Sequence, residues 1–149
     1  MKIILEQGES PELEVVIRGN LSDPQIPQLV ALLNRTGGMS KLFLYAEERE
    51  YICRAEEIDY FEASGDHVYA HQGKRRLEVR HKLYELAEGL YNKGFVQISK
   101  GVVVNSAAVT SVAAEFSGNY VVHLKDQTNL SLSRKYVKQF RKYILEVSK

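Results

Sequence analysis

The sequence holds a single cysteine, Cys53, so it can form no internal disulfide and carries no Cys-x-x-Cys motif for metal or redox chemistry. It has no apolar run approaching the roughly 20 residues that cross a bilayer as a helix. Met1-Lys2-Ile3-Ile4-Leu5 turns acidic at Glu6, too soon for the apolar segment of a signal peptide. A cytoplasmic protein is therefore expected. Internal repeats and low-complexity tracts are absent. Gly37-Gly38 is followed by neither a Lys-Ser/Thr pair nor a third glycine, which excludes a phosphate-cradling loop there. No serine sits in a Gly-x-Ser-x-Gly elbow. His67 and His71 would suit a zinc pair on a helix, but they fall in a strand-like segment where four residues span roughly 13 Å. His81 and His123 are isolated, and the acidic cluster Glu56, Glu57, Asp59 and Glu62 reads as solvated surface. No metal, no cofactor and no catalytic activity are expected.

What is present is ordinary in bulk and uneven in distribution. The 149 residues are 44% hydrophobic and 26% charged, ample for a real core. The net charge of +1 conceals two unlike halves. Residues 1–62 set six Lys or Arg against twelve acids, whereas residues 63–149 set fourteen against seven. A basic half on a near-neutral chain points to an anionic partner met by one face.

Along the chain, Lys2 to Gln7 and Leu13 to Arg18 suggest two strands around the turn residues Gly8-Glu9-Ser10-Pro11. Ser22-Asp23-Pro24 is helix-start chemistry, and Ile26, Leu29, Val30 and Leu33 follow at helical spacing until Gly37-Gly38. A β-β-α segment over residues 1–38 is expected, too small to be stable alone. From Lys41 the signal is mostly strand. Leu42–Tyr45 and Glu50–Cys53 flank a charged turn, and Arg54–Glu57 suits one helical turn. Ile58–Ala63 is strand-like, and His67–His71 pairs with Arg76–Arg80 across a Gly-containing turn. Leu83, Leu86, Ala87 and Leu90 form a short amphipathic helix stopped by Asn92-Lys93-Gly94. Further strands are expected over Ala108–Phe116, Asn119–Leu124 and Asn129–Leu132. Ser133 then caps a last helix with Tyr136, Val137, Phe140, Tyr143, Ile144 and Val147 as its apolar stripe.

Between the two C-terminal helices lies Phe95 to Asn105, two β-prone apolar runs around the polar kink Ser99-Lys100-Gly101. A glycine inside such a run marks a bulge or a close backbone approach, so Lys100 is expected where the chain bends outward. A buried scaffold can present one cation to a partner in this way.

Four patches in order carry a resemblance to a known family. They are Ile58-Asp59-Tyr60-Phe61-Glu62-Ala63, the helix Leu83–Leu90, Phe95–Lys100 with Val103-Val104-Asn105, and Leu130-Ser131-Leu132-Ser133-Arg134-Lys135-Tyr136. Residues 41–147 resemble the LytTR-type DNA-binding domains of bacterial transcription regulators. The resemblance implies a mainly β fold with short helices (α+β), elongated and unlike a helix-turn-helix. It implies loops inserted into successive major grooves of double-stranded DNA at repeated elements, bound by a homodimer. Three loop positions would approach bases: the Gly65-Asp66-His67 turn, where Asp66 repels phosphate and leaves His67 the better candidate, then Lys100 and Arg134. Ser99-Lys100-Gly101 departs from the family's commoner His-Arg-Ser or His-Asn-Ser, and Gln97 stands where many members have Arg, which bears on the target sequence.

Lys74, Arg75, Arg76, Arg80, Lys82, Lys135 and Lys138 suit phosphates, which give affinity and register without sequence information. About 40 residues ahead of the domain cannot hold the receiver domain common in the family, so residues 1–38 are expected to mediate self-association or contact with a regulator. The resemblance also makes a small regulatory membrane protein a partner to consider. The competing reading is a non-catalytic interaction module whose basic face meets an acidic protein or a membrane surface.

Overall fold

From Lys41 onward the alternating apolar residues form ten strands, every neighbouring pair antiparallel. The computed structural model describes residues 1–9, 14–37 and 41–147. Helix α1 (Gln25–Gly37) comes first. Strands β1 (Lys41–Ala46), β2 (Arg49–Arg54), β3 (Tyr60–Ser64), β4 (His67–Gln72), β5 (Arg75–Val79), β6 (Phe95–Ser99) and β7 (Val102–Asn105) make one sheet. Its order is β2-β1-β5-β4-β3-β7-β6. Strands β8 (Val109–Ala114), β9 (Tyr120–Leu124) and β10 (Asn129–Leu132) make a second, ordered β10-β9-β8. Helix α2 (Leu83–Gly89) follows β5, and α3 (Arg134–Val147) closes the described chain.

Strand alternation sends successive side chains to opposite faces, and here it feeds two cores. Leu42, Leu44, Phe61, Ala70, Leu77, Val79, Phe95 and Val103 point to one face of the larger sheet and pack with Leu83, Leu86 and Leu90 around α2. Their neighbours Val96, Ile98 and Val104 point the other way, into a second core with Val122, Leu124, Leu130 and Leu132 of the smaller sheet and Phe140 and Tyr143 of α3. Strands β6 and β7 are therefore buried on both faces, a fuller burial than the half-buried surface that their β-prone residues and the interruption at Gln97 suggest. Burial also sets the titration of two groups. It pushes the Cys53 thiol above its usual value, with Glu57 adding to the effect. It pushes Tyr143 up to about 12, with Tyr91 adding, and the Tyr143 hydroxyl donates to the Tyr91 carbonyl.

Asn105 is the one buried polar side chain among the described residues. Its Nδ2 donates to the carbonyls of Ile58 (3.0 Å) and Glu56 (3.3 Å), and its Oδ1 accepts from the Ala107 N–H (3.0 Å). An amide is suited to this place because it supplies donors and an acceptor together. It pins the 3-10 turn Ala55–Glu57 against the end of β7.

The N-terminal expectation needs correction. Residues 2–7 and 14–18 form no strand, and Ile3, Ile4, Leu5, Val15 and Val16 are exposed. The β-propensity of Val15-Val16-Ile17 supplies side chains for a strand but no neighbouring backbone to complete the ladder. The helix of the expected β-β-α segment does form. Asp23 Oδ1 accepts from the Gln25 N–H (2.9 Å), and Pro24 precedes the first turn. Ser10, Pro11, Leu13, Gly38 and the Val147 side chain lie outside the described residues. The last strand before β9 is also shorter than expected. It ends at Ala114 and leaves Phe116 in a turn.

Candidate nucleic-acid interface

The β3–β4 turn, the β6–β7 turn and the start of α3 are tied together at one end of the strands by main-chain hydrogen bonds. Ser64 pairs with His67 across the Gly65-Asp66 turn, where Gly65 takes a φ of 60° that side chains rarely adopt. The Ala63 N–H donates to the Gly101 carbonyl (2.8 Å), which sets the Lys100-Gly101 turn beside it. In β6, Gln97 faces Val103 and Ser99 faces Val102, so Ile98 is an extra residue in the ladder. The bulge predicted from Gly101 thus lies three residues earlier. Such a bulge releases a backbone group from pairing. The freed Ile98 carbonyl accepts from the Ser133 N–H (3.0 Å), which draws the first turn of α3 to the same end.

The base-contact candidates differ in how they are held. Lys100 is exposed on its two-residue turn. Arg134 is also exposed, and its backbone N–H donates to Asn119 Oδ1 (3.3 Å). Its guanidinium lies over the β8–β9 turn: a Cβ on Gly118 would stand 3.3 Å from Nε and 3.4 Å from Cζ. Gly118 takes a φ of 85°, which side chains rarely adopt, and its missing Cβ leaves room for the Arg134 side chain to lie close. His67 donates from Nδ1 to the Glu78 carboxylate oxygen Oε1 (3.1 Å). When Nδ1 carries the proton, Nε2 is left as an acceptor, and full protonation makes it a second donor. The ion pairs among the described residues are all between histidine and glutamate: His67–Glu78, His71–Glu62 and His81–Glu85. Among the described residues neither Lys100 nor Arg134 has a carboxylate within 4.0 Å, so both charges remain available.

The phosphate candidates divide. Arg80 and Lys82 follow the end of β5, where Val79 pairs with Val68 beside the Gly65-Asp66 turn. Lys135 and Lys138 are exposed near the start of α3. Lys74 and Arg75 sit at the β4–β5 turn, at the opposite end of β4 and roughly 17 Å away along the strand. The two groups therefore do not converge on one edge. Sequence reasoning missed the tyrosines that carry the arginines. Arg76 lies 3.7 Å over the Tyr69 ring, Arg80 3.9 Å over Tyr45, and Arg75 5.1 Å over Tyr51. Stacking on an aromatic face holds a guanidinium in place while its N–H donors stay free. The register brings them together: Tyr69 pairs with Glu78, which lies between Arg76 and Arg80 at two-residue spacing, and nothing in the sequence gives that register.

The pattern of the LytTr DNA-binding domain matches residues 47–145. The chain belongs to this family. A LytTr DNA-binding domain of a methyl-accepting/DNA response regulator from Bacillus cereus superposes with a TM-score of 0.67 at 17% identity, covering 72% of this chain and 98% of that one. The LytTr fold is therefore shared well beyond what the residues in common suggest. The sensory transduction protein LytT of Bacillus subtilis is 24% identical over 111 residues, which cover 74% of this chain but 46% of that protein. This chain thus matches less than half the length of that relative. An uncharacterised HTH-type transcriptional regulator of Staphylococcus aureus is 24% identical over 134 residues and 90% of each chain. Among the described residues, five strands separate each α-helix from the next, so no helix-turn-helix pair is formed.

Proposed function

We propose that this LytTr chain is a sequence-specific DNA-binding transcription regulator that inserts loops into successive major grooves at repeated sites. The observation that carries this reading is the joining of the Gly65–His67, Lys100 and Arg134 tips by the Ala63–Gly101 and Ser133–Ile98 hydrogen bonds, with neither cation in an ion pair among the described residues. Arg134 can donate twice to guanine O6 and N7 and Lys100 can donate as a point charge, while His67 can meet a base edge through Nε2, as an acceptor when neutral and as a donor when protonated. Arg80, Lys82, Lys135 and Lys138 would hold the flanking phosphates. Lys74, Arg75 and Arg76, further along the strands, would serve only a duplex that runs the length of the sheet. Fluorescence anisotropy against the DNA upstream of the protein's own gene tests the reading. The upstream duplex should bind about a thousandfold or more tighter than unrelated DNA. Affinity for both should fall steeply with salt. Equal affinity for all duplexes would leave a general basic interaction surface instead.

Binding as a homodimer is proposed for the same reading. It is supported by the apolar side chains that residues 1–33 leave in solvent, Ile3, Ile4, Leu5, Val15, Val16, Leu21 and Val30 among them. So many large apolar side chains exposed within one short segment exceed the single scattered ones that are normal on a monomer. Sedimentation should show residues 1–149 as a dimer and residues 39–149 as a monomer. Two monomers would assign residues 1–38 another task.

A further inference from the structure

Phe116 is the most exposed apolar side chain among the described residues, at 112% of the reference area. It does not hang from a slack loop. The Gly118 N–H donates to the Glu115 carbonyl (3.2 Å) and the Glu115 N–H to the Asn119 carbonyl (2.9 Å), which closes a tight turn between β8 and β9. Gly118 takes its positive φ after Phe116 and Ser117, the pattern of a type I turn closed by a glycine bulge. The second position of such a turn favours proline and otherwise accepts most residues, so nothing in the turn calls for an aromatic ring there, and the ring forgoes burial for no local return. The same turn supports Arg134 at two points, through Asn119 Oδ1 and through the guanidinium packed over Gly118. A partner that reaches the Arg134 tip therefore meets Phe116. Glu115 begins the turn with a carboxylate that repels phosphate, which favours base edges over the DNA backbone at this place. The apolar group that base edges offer in the major groove is the thymine methyl.

We infer that Phe116 is a fourth DNA-contacting position, its ring packed on a thymine C5 methyl next to the base addressed by Arg134. This rests on the DNA-binding reading above and adds a specificity determinant to it. The experiment replaces each thymine of the upstream duplex in turn by deoxyuridine, which removes the methyl alone. Binding of the full chain is then followed by anisotropy. At one position the wild type should lose about fourfold in affinity, the effect of one methyl returned to water. Phe116→Ala should bind the unmodified duplex roughly tenfold more weakly than the wild type, with unchanged affinity for unrelated DNA and no response to that deoxyuridine. Phe116→Leu should recover part of both effects. The inference is overturned if Phe116→Ala binds like the wild type, or if it stays as sensitive as the wild type to every deoxyuridine. A wild type without preference for the upstream duplex would instead bring down the DNA-binding reading itself.

Discussion

The double variant Lys100→Ala/Arg134→Ala should bind unrelated DNA nearly as well as the wild type while losing most of its preference for the cognate duplex. A good contact to a base pair contributes about 1–3 kcal/mol of discrimination, so two independent contacts together set a ratio of roughly thirtyfold to twenty-five-thousandfold. Arg134 should account for the larger share, because its planar guanidinium can engage two acceptors at once and its position is fixed by Gly118 and Asn119. The loss should not be confounded by unfolding. Both side chains are exposed, and a cation in the first turn of α3 opposes the helix dipole by about 0.3–1 kcal/mol, so Arg134→Ala should melt no lower than the wild type. Lys138→Ala is the contrast. It should weaken all sequences alike and reduce the salt slope by about one. Titration of all variants against cognate and unrelated duplexes decides the matter. A double variant that weakens both in proportion would make Lys100 and Arg134 phosphate contacts only.

Phe95→Ala should lower the stability of the fold by about 3–5 kcal/mol, out of a total of the order of 5–15. Phe95 is fully buried, its ring 5.5 Å from that of Phe61 and tilted by 46°, in the core that holds α2 against the larger sheet. It also opens β6 opposite Asn105, so truncation leaves a cavity beside the one buried polar side chain among the described residues. In chemical denaturation the midpoint should fall with an unchanged slope, and the melting temperature should drop by roughly 10–20 °C. A loss below 1 kcal/mol would mean that the core collapses around the gap and that the packing described for β6 is wrong.

From Lys41 on, the strands and both helices were legible because each carries a clean period and ends at turn chemistry. Glu47-Glu48, Gly73-Lys74 and Lys100-Gly101 are turns that residue type already marks. Residues 2–7 and 14–18 misled because propensity describes what a strand tolerates, whereas a ladder needs a neighbour that local sequence does not name. The candidate site was legible one residue at a time. His67, Lys100 and Arg134 could each be singled out, but their joining depends on the Ile98 bulge and on two long-range hydrogen bonds that no spacing reveals. The stacked arginines were invisible for the same reason: Arg76 over Tyr69 and Arg80 over Tyr45 are contacts between strands, set by register. Phe116 was hidden by its own propensity, since an aromatic residue after Ala113-Ala114 looks like one more strand position.

The bulge in β6 has a consequence for how such a protein can change its target. The Ile98 and Gly101 carbonyls fix the relative placement of the tips through main-chain atoms, with no demand on the side chains of Lys100 or Arg134. Those side chains can be exchanged while the spacing between them stays the same. Alternative residues at the tips then amount to different inscriptions on one rigid frame, and a new DNA preference can arise without a new fold.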